Sequence, residues 1–312
     1  MINLKNHNDQ RSAIIIDTIS KAYGTNKAVQ DVSLSVKSGE LFGLIGPDGA
    51  GKTTLFKILV TLLRPDQGQA TVVGRDVVQD FRALRSLIGY MPGRFSLYPD
   101  LSVEENLTFF ATVFGTTIAA NYDLIRDIYV QLEPFKDRRA GALSGGMKQK
   151  LALCCALIHK PGVLFLDEPT TGVDAVSRKE FWEMLQLLKK RGLTIMVSTP
   201  YMDEAGQCDR IALMQTGKIL AIDTPSEVER LFRKPLLAVR ADDTYRLIQD
   251  LRQAPFTETC YAFGEYLHLT THDQTTPEDV TRYLNQRGHQ HVVMKPIQAS
   301  IEDSFMELMQ HG

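Results

Sequence analysis

The chain has 312 residues, of which 44% are hydrophobic and 23% are charged. This length and composition indicate a globular protein with one large or two modest domains. Its 35 Lys and Arg residues nearly balance 37 Asp and Glu residues, for a formal net charge of −2. Such a charge gives no overall attraction to nucleic acid, so no nucleic-acid partner is predicted.

No segment predicts secretion or a membrane span. Residues 1–10 are polar and lack the apolar core of a signal peptide. The densest apolar run, Leu151–Ile158, is too short to cross a bilayer. The four cysteines form no C-x-x-C pair, which favours buried thiols in a reducing compartment over disulfides or a metal site. They are Cys154, Cys155, Cys208 and Cys260.

From Ala13 onward, short β-rich runs alternate with helical stretches. Two early strands are predicted at Ile14–Ile16 and Val32–Val36. The later runs are continuously apolar, which is typical of strands buried on both faces of a parallel α/β sheet, and they are Leu41–Ile45, Val163–Leu166 and Ile195–Val197. A helix is also predicted over Ser177–Gly192, because basic residues fill its last turn and Gly192 suits a C-terminal cap.

A phosphate-binding loop follows the third of these strands. The run Gly46-Pro-Asp-Gly-Ala-Gly-Lys-Thr53 fits the pattern G-x-x-x-x-G-K-[ST] between a predicted strand and a predicted helix. Glycines let backbone N–H groups point at phosphate oxygens, and the helix N-terminus adds positive potential. We expect Lys52 to reach the β- and γ-phosphates of ATP and Thr53 to hold Mg²⁺. The residues expected to bind nucleotide here are Gly46, Pro47, Asp48, Gly49, Ala50, Gly51, Lys52, Thr53 and Thr54.

Two carboxylates, Asp167 and Glu168, follow the predicted strand Val163–Leu166. A strand end of this kind lies at the carboxyl edge of the sheet, where nucleotide binds in such folds. We expect Asp167 to act on Mg²⁺ and Glu168 to orient or deprotonate the attacking water. Alone, such a pair is more often surface charge. Together with the phosphate-binding loop it indicates an ATPase.

The run Leu143-Ser-Gly-Gly-Met147 resembles the signature motif of ABC-type ATPases. Its serine also suits the cap of an ordinary helix. The resemblance implies that Ser144, Gly145 and Gly146 bind the γ-phosphate held by an opposing subunit. It therefore implies a second nucleotide-binding domain as partner, in a homodimer or a heterodimer.

Other marks of this family occur in the expected order. Tyr23 stands where the family places an aromatic residue against adenine, and Thr170–Asp174 resembles the loop that crosses the dimer. The resemblance covers about Ile14 to Ala221. It implies an α/β P-loop NTPase (ABC ATPase) domain over residues 13–232, with a mixed sheet and a helical subdomain at about 94–160.

Two positions depart from the family pattern. Gly93 replaces the usual glutamine after the strand that ends Gly89-Tyr90-Met91-Pro92, and Pro200 replaces the usual histidine that contacts the γ-phosphate. Proline has neither a side-chain donor nor a backbone N–H, so hydrolysis is expected to be slow while ATP and Mg²⁺ still bind. Tyr201 is a less favoured substitute for the missing phosphate contact.

Beyond Pro235 the predicted elements follow the order β-α-β-β-α-β, which indicates a small ferredoxin-like α+β domain over residues 235–312. A last helix is predicted over Ser300–Gln310. Metal binding through His289 and His291 is a weaker alternative, because two histidines beside a strand are usually solvated and no third ligand is evident.

Three segments resemble the ATPase subunits of bacterial multidrug and antibiotic exporters. They are Gly89–Leu107, Leu143–Lys150 and Ser300–Met309. The resemblance implies a cytoplasmic chain at the inner face of the membrane, where its ATP hydrolysis drives export of a small molecule through a separate membrane permease. Phe95, Leu97 and Tyr98 are candidates for permease contacts, and simple core packing is an equally good explanation for them.

Two alternatives differ in class. Gly93 and Pro200 favour a nucleotide-binding regulatory half with weak or no hydrolysis, paired with another ATPase chain, whereas Glu168 argues against it. A soluble ABC ATPase acting on ribosomes or DNA is disfavoured, because the chain has one cassette, no heptad run and no net positive charge.

Overall fold

The computed structural model describes residues 12–94, 96–272 and 275–311. The predicted absence of a signal peptide in residues 1–10 and the suggested permease contact Phe95 lie outside these ranges. The chain divides into two compact units, the first ending at Pro225 and the second spanning Ser226–His311.

The first unit alternates strands with helices. In chain order they are β1 (Ser12–Tyr23), β2 (Asn26–Lys37), β3 (Leu41–Ile45), α1 (Lys52–Leu59), β4 (Gln67–Val72), β5 (Arg75–Asp76), α2 (Phe81–Leu84), β6 (Ile88–Met91), α3 (Val103–Val113), α4 (Ile118–Tyr129), α5 (Gly145–Leu157), β7 (Val163–Asp167), α6 (Ala175–Lys190), β8 (Thr194–Thr199), β9 (Arg210–Gln215) and β10 (Lys218–Asp223).

Six strands of this unit form one sheet in the order β10-β9-β3-β8-β7-β6. All neighbouring pairs are parallel except β10 with β9. β3, β7 and β8 are buried along their whole length, which agrees with the continuously apolar runs at Leu41–Ile45, Val163–Leu166 and Ile195–Val197. The predicted mixed sheet is confirmed. It brings the carboxyl ends of β3, β8, β7 and β6 to one edge, where the predicted site residues follow.

A second, antiparallel sheet has the order β2-β1-β4-β5. Its buried side chains share one core with α1 and the six-stranded sheet. At the centre of that core, Phe56 of α1 meets Phe165 of β7 edge to face, with ring centroids 5.8 Å apart. β1 extends beyond the predicted Ile14–Ile16 to Tyr23, and a turn through Gly24, at φ +59°, leads into β2.

The helical part of the first unit contains α3, α4 and α5. Ser102 and Glu105 form a complete capping box at the start of α3, and Ser144 caps α5. The helix predicted over Ser177–Gly192 begins slightly earlier, as α6, with Asp174 as its cap. Gly192, at φ +89°, ends it as predicted and donates its N–H to the carbonyl of Lys189 at 2.8 Å.

The second unit continues with seven further elements after α7 (Pro225–Glu229). They are β11 (Leu236–Arg240), α8 (Thr244–Arg252), β12 (Thr257–Phe263), β13 (Tyr266–Thr271), α9 (Pro277–Gln286), β14 (Val293–Ile297) and α10 (Ile301–His311). The four strands form an antiparallel sheet in the order β12-β13-β11-β14. This order, with two helices in the crossovers, is the ferredoxin-like arrangement that the sequence predicts.

The division between units falls at Pro225, ten residues before the proline at which the sequence analysis divides the chain. The reason is α7, whose residues after Pro225 belong with the second unit. Val228 is fully buried, and the carbonyl of Glu229 accepts a hydrogen bond from Ser304 of α10 at 3.3 Å. The helical segment that the sequence indicates at Glu227–Phe232, before Pro235, therefore overlaps α7 and belongs with the second unit.

All four cysteines are free and buried, as expected. Burial raises the pKa of the Cys260 thiol to about 11 and raises the pKa values of the other three thiols well above their usual range. Thiols with raised pKa values stay protonated and unreactive at neutral pH. Among the described helices, none has the length and apolar character needed to span a membrane.

Candidate functional site

The loop after β3 curls because glycines occupy its tightest points. Gly49 and Gly51 have φ values of +79° and +107°, which side chains other than glycine's rarely tolerate. A Cβ on Gly51 would lie 2.2 Å from the carbonyl oxygen of Ala28, and one on Gly46 would lie 2.1 Å from that of Met214. This close approach leaves a concave backbone that leads directly into the N-terminus of α1, where anions bind favourably.

Lys52, the first residue of α1, is buried beneath this loop. Its Nζ donates to the carbonyl oxygens of Gly46 at 2.7 Å and Pro47 at 3.0 Å, and lies 3.1 Å from Oε1 of Glu168. The ammonium group is thus fixed between β3 and β7 by groups that a phosphate oxygen can replace. Asp48, between these carbonyl groups and the glycines, is exposed.

Thr53 and Asp167 meet across the sheet edge. The Thr53 hydroxyl donates to Oδ1 of Asp167 at 3.1 Å, and the Ser198 hydroxyl donates to the same oxygen at 2.6 Å. Because Thr53 uses its hydrogen here, its lone pairs remain for a cation. Hydroxyl and carboxylate oxygens are ligands that Mg²⁺ accepts, and it keeps water and phosphate oxygens as its other ligands.

No group of three or more His, Cys, Asp or Glu residues in the described ranges is arranged to hold a metal ion by itself. The pair Thr53 and Asp167 therefore fits a cation that arrives with nucleotide and water, as Mg²⁺ does. The two residues predicted to hold Mg²⁺ lie together, although their binding of the ion stays a prediction.

Glu168 has a backbone conformation that sequence reasoning did not predict. Its φ is +51°, in the left-handed region that is strained for any residue except glycine. Its N–H donates to both the carbonyl oxygen and the hydroxyl oxygen of Ser198, at 3.0 and 3.1 Å. The side chain forms an ion pair with Lys52 and is partly exposed. Glu168 can therefore meet a water molecule once that ion pair opens, while Asp167 stays buried.

An open cavity of about 630 Å³ lies beside the loop. Eight of the predicted residues line it: Tyr23, Gly49, Ala50, Gly51, Lys52, Thr53, Thr54 and Glu168. The sequence analysis missed six further lining residues, which are Thr25, Asn26, Lys27, Ala28, Gln30 and Thr216. Five of these lie on β2 or the turn before it, shortly after Tyr23. The position of Tyr23 in the sequence could therefore have indicated them. Half of the Tyr23 side chain is exposed, as a stacking surface requires.

The signature residues lie elsewhere. Ser144 accepts a hydrogen bond from the Met147 N–H at 3.3 Å, which confirms it as a helix cap. A Cβ on Gly145 would lie 3.7 Å from the carbonyl oxygen of Gly172, in the loop after the carboxylates. Neither Ser144, Gly145 nor Gly146 lines the nucleotide-sized cavity. One copy of the chain therefore does not bring the signature motif to its own phosphate-binding loop.

Gly93 sits against the carboxylates. A Cβ on Gly93 would lie 2.9 Å from the carbonyl oxygen of Asp167 and 3.7 Å from Cβ of Glu168. A separation below 3.0 Å from a backbone atom requires one of the two segments to move. The missing glutamine therefore leaves a loop that closes tightly over the end of β7, which only glycine allows in this arrangement.

Pro200 and Tyr201 follow β8 and do not line the cavity. The Tyr201 ring lies under the guanidinium group of Arg178, 5.1 Å from the ring centroid, and its N–H donates to the Thr199 hydroxyl at 3.1 Å. This placement does not support Tyr201 as a substitute phosphate ligand. The same Thr199 hydroxyl donates to the buried carboxylate of Glu204, at 2.5 Å.

A second cavity, apolar and about 440 Å³ in volume, lies among β6, α3 and α5 in the first unit. Leu97 lines it, whereas Tyr98 is half exposed and contacts Phe109 edge to face at a centroid distance of 4.8 Å. His159 also lines it. Burial lowers the pKa of His159 against the opposing effect of its hydrogen bond to the Ile88 carbonyl, so the imidazole is uncharged at neutral pH.

The two histidines considered for metal binding have separate carboxylate partners. His289 is buried with Nε2 2.8 Å from Asp250, while His291 is exposed beside Asp242. The expectation of solvated histidines is therefore wrong for His289, which supports the link between α8 and β14, and right for His291.

Comparisons with known proteins agree with this geometry. A family model described as ABC transporter matches residues 29–171. The chain is 37% identical over 304 residues to the probable multidrug ABC transporter ATP-binding protein YbhF of Escherichia coli (strain K12), covering 96% of this chain and 52% of that protein. It is 37% identical over 294 residues to the Nod factor export ATP-binding protein I of Burkholderia orbicola (strain AU 1054), covering 93% of this chain and 94% of that protein.

Among solved structures, CbiO1 from Clostridium perfringens, part of the ABC transporter complex CbiONQ, matches with a TM-score of 0.63 and 25% identity. The match covers 70% of this chain and 91% of that chain. This chain spans about half the length of YbhF and nearly the whole length of the Nod factor export protein.

Proposed function

Because the chain belongs to the ABC transporter family of ATP-binding proteins, we propose that it hydrolyses ATP to drive export of a small molecule through a separate membrane permease. One observation carries this proposal. A buried lysine, a hydroxyl–carboxylate pair and a second carboxylate meet at one sheet edge, beside a cavity of nucleotide size.

Each group has a chemical task in this proposal. Lys52 exchanges its carbonyl partners for β- and γ-phosphate oxygens, and the loop N–H groups bind the remaining phosphate charge. Thr53 and Asp167 would hold Mg²⁺, which would neutralise part of the phosphate charge when bound. Glu168 then accepts the proton of the attacking water, which requires that its ion pair with Lys52 open.

The complete site needs a second nucleotide-binding domain. Ser144, Gly145 and Gly146 form the N-terminus of α5 away from the chain's own cavity, which is where an opposing copy can present its γ-phosphate. Residues 13–232 serve as the nucleotide-binding domain in this assembly. Residues 235–312 serve as an accessory domain with a regulatory or dimerising role.

The permease contact belongs to the first unit. The apolar cavity beside Leu97 has exposed apolar residues at its rim, including Leu62 and Val113, and such a surface fits a partner helix. This contact holds the chain at the cytoplasmic face of the membrane. A multidrug transporter protein and a Nod factor export protein are among the relatives, which supports export as the direction.

The two departures favour a second candidate function. Gly93 has no side chain to reach the cation or water, and Pro200 has no donor for the phosphate. A chain so altered can serve as a nucleotide-binding regulatory half, whose Ser144 completes the active site on a different ATPase chain. The retained Glu168 distinguishes the two functions, because only the hydrolytic one needs it.

Sedimentation of the purified chain with ATP and Mg²⁺ tests the shared site. Glu168→Gln is expected to form a nucleotide-dependent dimer, because ATP stays bound without being hydrolysed. Lys52→Ala, which removes the phosphate contact, is expected to remain a monomer. ATP binding by Glu168→Gln without dimerisation would support the heterodimeric arrangement. No ATP binding by either the native chain or Glu168→Gln would contradict the proposed function.

A further inference from the structure

Ser198 contacts both acidic residues of the site. It is the penultimate residue of β8 and stands opposite Asp167 in the parallel pairing of β8 with β7. Its side chain is fully buried. The hydroxyl donates to Oδ1 of Asp167 at 2.6 Å and accepts the N–H of Glu168 at 3.1 Å. One buried hydroxyl therefore joins the metal-binding carboxylate to the backbone of the catalytic one.

The contact to Glu168 holds a strained backbone. A φ of +51° is costly for a glutamate and persists only where neighbouring groups fix it. Ser198 supplies two acceptors to the same N–H, its carbonyl oxygen and its hydroxyl oxygen. At this strained turn the Glu168 side chain contacts Lys52 and lines the cavity.

The contact to Asp167 fixes the orientation of its carboxylate. Oδ1 accepts from both Ser198 on β8 and Thr53 on α1. Two donors on one oxygen prevent rotation of the carboxylate and hold its second oxygen in one direction. The orientation of the cation relative to Glu168 then depends on a hydroxyl that does not itself reach the cavity.

We propose that Ser198 is a positioning residue for ATP hydrolysis, which keeps the cation-binding oxygen of Asp167 and the carboxylate of Glu168 in fixed mutual geometry. This inference rests on the proposed function. Ser198 acts only through its two neighbours, so its loss affects the rate and the response to Mg²⁺ more than the affinity for ATP.

The chain offers a matched control on the same strand. Thr194 is also buried, and its hydroxyl also accepts a backbone hydrogen bond, from Gly39 at 2.9 Å. It stands at the opposite end of β8, away from both carboxylates. Thr194→Ala therefore reports the general effect of losing a buried hydroxyl from β8. An effect on the nucleotide site is expected only in the Ser198 variants.

The test compares ATP turnover of the full chain with Ser198→Ala, Ser198→Cys and Thr194→Ala. Ser198→Ala is expected to lower kcat by about 10- to 100-fold, the loss typical of displaced reacting groups. Its KM for ATP is expected to change by less than about threefold, while the Mg²⁺ concentration for half-maximal rate rises. Ser198→Cys, close to serine in volume but a weak donor, is expected to behave like Ser198→Ala and replaces it if the alanine variant does not fold.

Two results would overturn the proposal. One is a Ser198→Ala or folded Ser198→Cys chain with native kcat and native Mg²⁺ response. The other is a Thr194→Ala chain that loses as much rate as the Ser198 variants. If the native chain itself shows no turnover, the proposed function fails separately. In that case the proposal for Ser198 is tested by the ratio of the ATP dissociation constants measured with and without Mg²⁺. The Ser198 variants are expected to gain less affinity from Mg²⁺ than the native chain does. A ratio equal to that of the native chain contradicts the proposal.

Discussion

Gly93 follows β6 at the point where the family usually has glutamine. Its backbone approaches the end of β7 so closely that even a methyl group would lie 2.9 Å from the Asp167 carbonyl oxygen. The substitution therefore changes more than one side chain, because the path of the loop over the carboxylates depends on it. Adding a side chain at this position cannot simply restore the family's contact.

Gly93→Ala is accordingly expected to lower ATP turnover by roughly 10-fold or more, since a displaced Asp167 misplaces both cation and water. Steady-state ATPase assays measure this. Gly206→Ala is the matched control, because a Cβ at Gly206 meets nothing within 4 Å and its φ is not positive. Turnover of Gly93→Ala equal to that of the control would show that the loop adapts freely.

Motif spacing predicted the residues whose chemistry is unusual. Lys52, Thr53 and Asp167 were found because the loop pattern, together with carboxylates at a strand end, seldom occurs for purely structural reasons. Ser198 was missed, since a serine near a strand end is common and only the pairing of β8 with β7 brings it to Asp167. The positive φ of Glu168 could not be predicted either, because it results from contacts between distant segments.

A serine caps the N-terminus of both α3 and α5, but only α5 has an expected role in catalysis. Ser102 accepts the Glu105 N–H at 3.1 Å, and Ser144 accepts the Met147 N–H at 3.3 Å. Replacing either serine with alanine is expected to lower the free energy of unfolding by about 1 kcal/mol. Denaturant unfolding measures that shared loss.

Only Ser144→Ala is expected to reduce ATP turnover beyond its effect on stability, because the proposed function assigns the N-terminus of α5 to the γ-phosphate of the partner. Ser102→Ala, with an equivalent loss of a cap, is the control and is expected to keep native turnover. Equal turnover of the two variants would argue against a role for Ser144 at the shared site.

Helices and strands were predicted best where the hydrophobic periodicity agrees with the capping and turn residues at their ends. The last helix, predicted over Ser300–Gln310, lies at Ile301–His311, and the strand order of the second unit follows from the β-α-β-β-α-β order. The start of β1 was recognised but its extension to Tyr23 was not, because polar residues such as Asp17 and Ser20 interrupt its apolar pattern. Pairing with β2 and β4 maintains that strand despite them.

The two units suggest separable tasks for the whole chain. The described nucleotide-site residues all lie before Pro225, and the second unit has its own core of buried residues. A chain shortened to end at Pro225 is expected to bind ATP with an affinity within about threefold of the full chain, as independent domains do. Isothermal titration with ATP measures this.

A chain shortened to end at Phe232 is less suitable for this test than one that ends at Pro225. It would retain α7 without the residues of the second unit that contact this helix. Val228 is buried in the full chain and the Glu229 carbonyl accepts from Ser304. Loss of ATP binding in a folded chain ending at Pro225 would show that the second unit takes part in the nucleotide site.

The most direct test of the account is Mg²⁺-dependent ATP hydrolysis by the purified chain, compared with Glu168→Gln and Pro200→His. We expect slow native turnover, its loss in Glu168→Gln, and a higher rate in Pro200→His because a donor to the γ-phosphate returns. No turnover by any of the three chains, with ATP still bound, would contradict hydrolysis at this site. The chain would then be a regulatory half that acts with another ATPase.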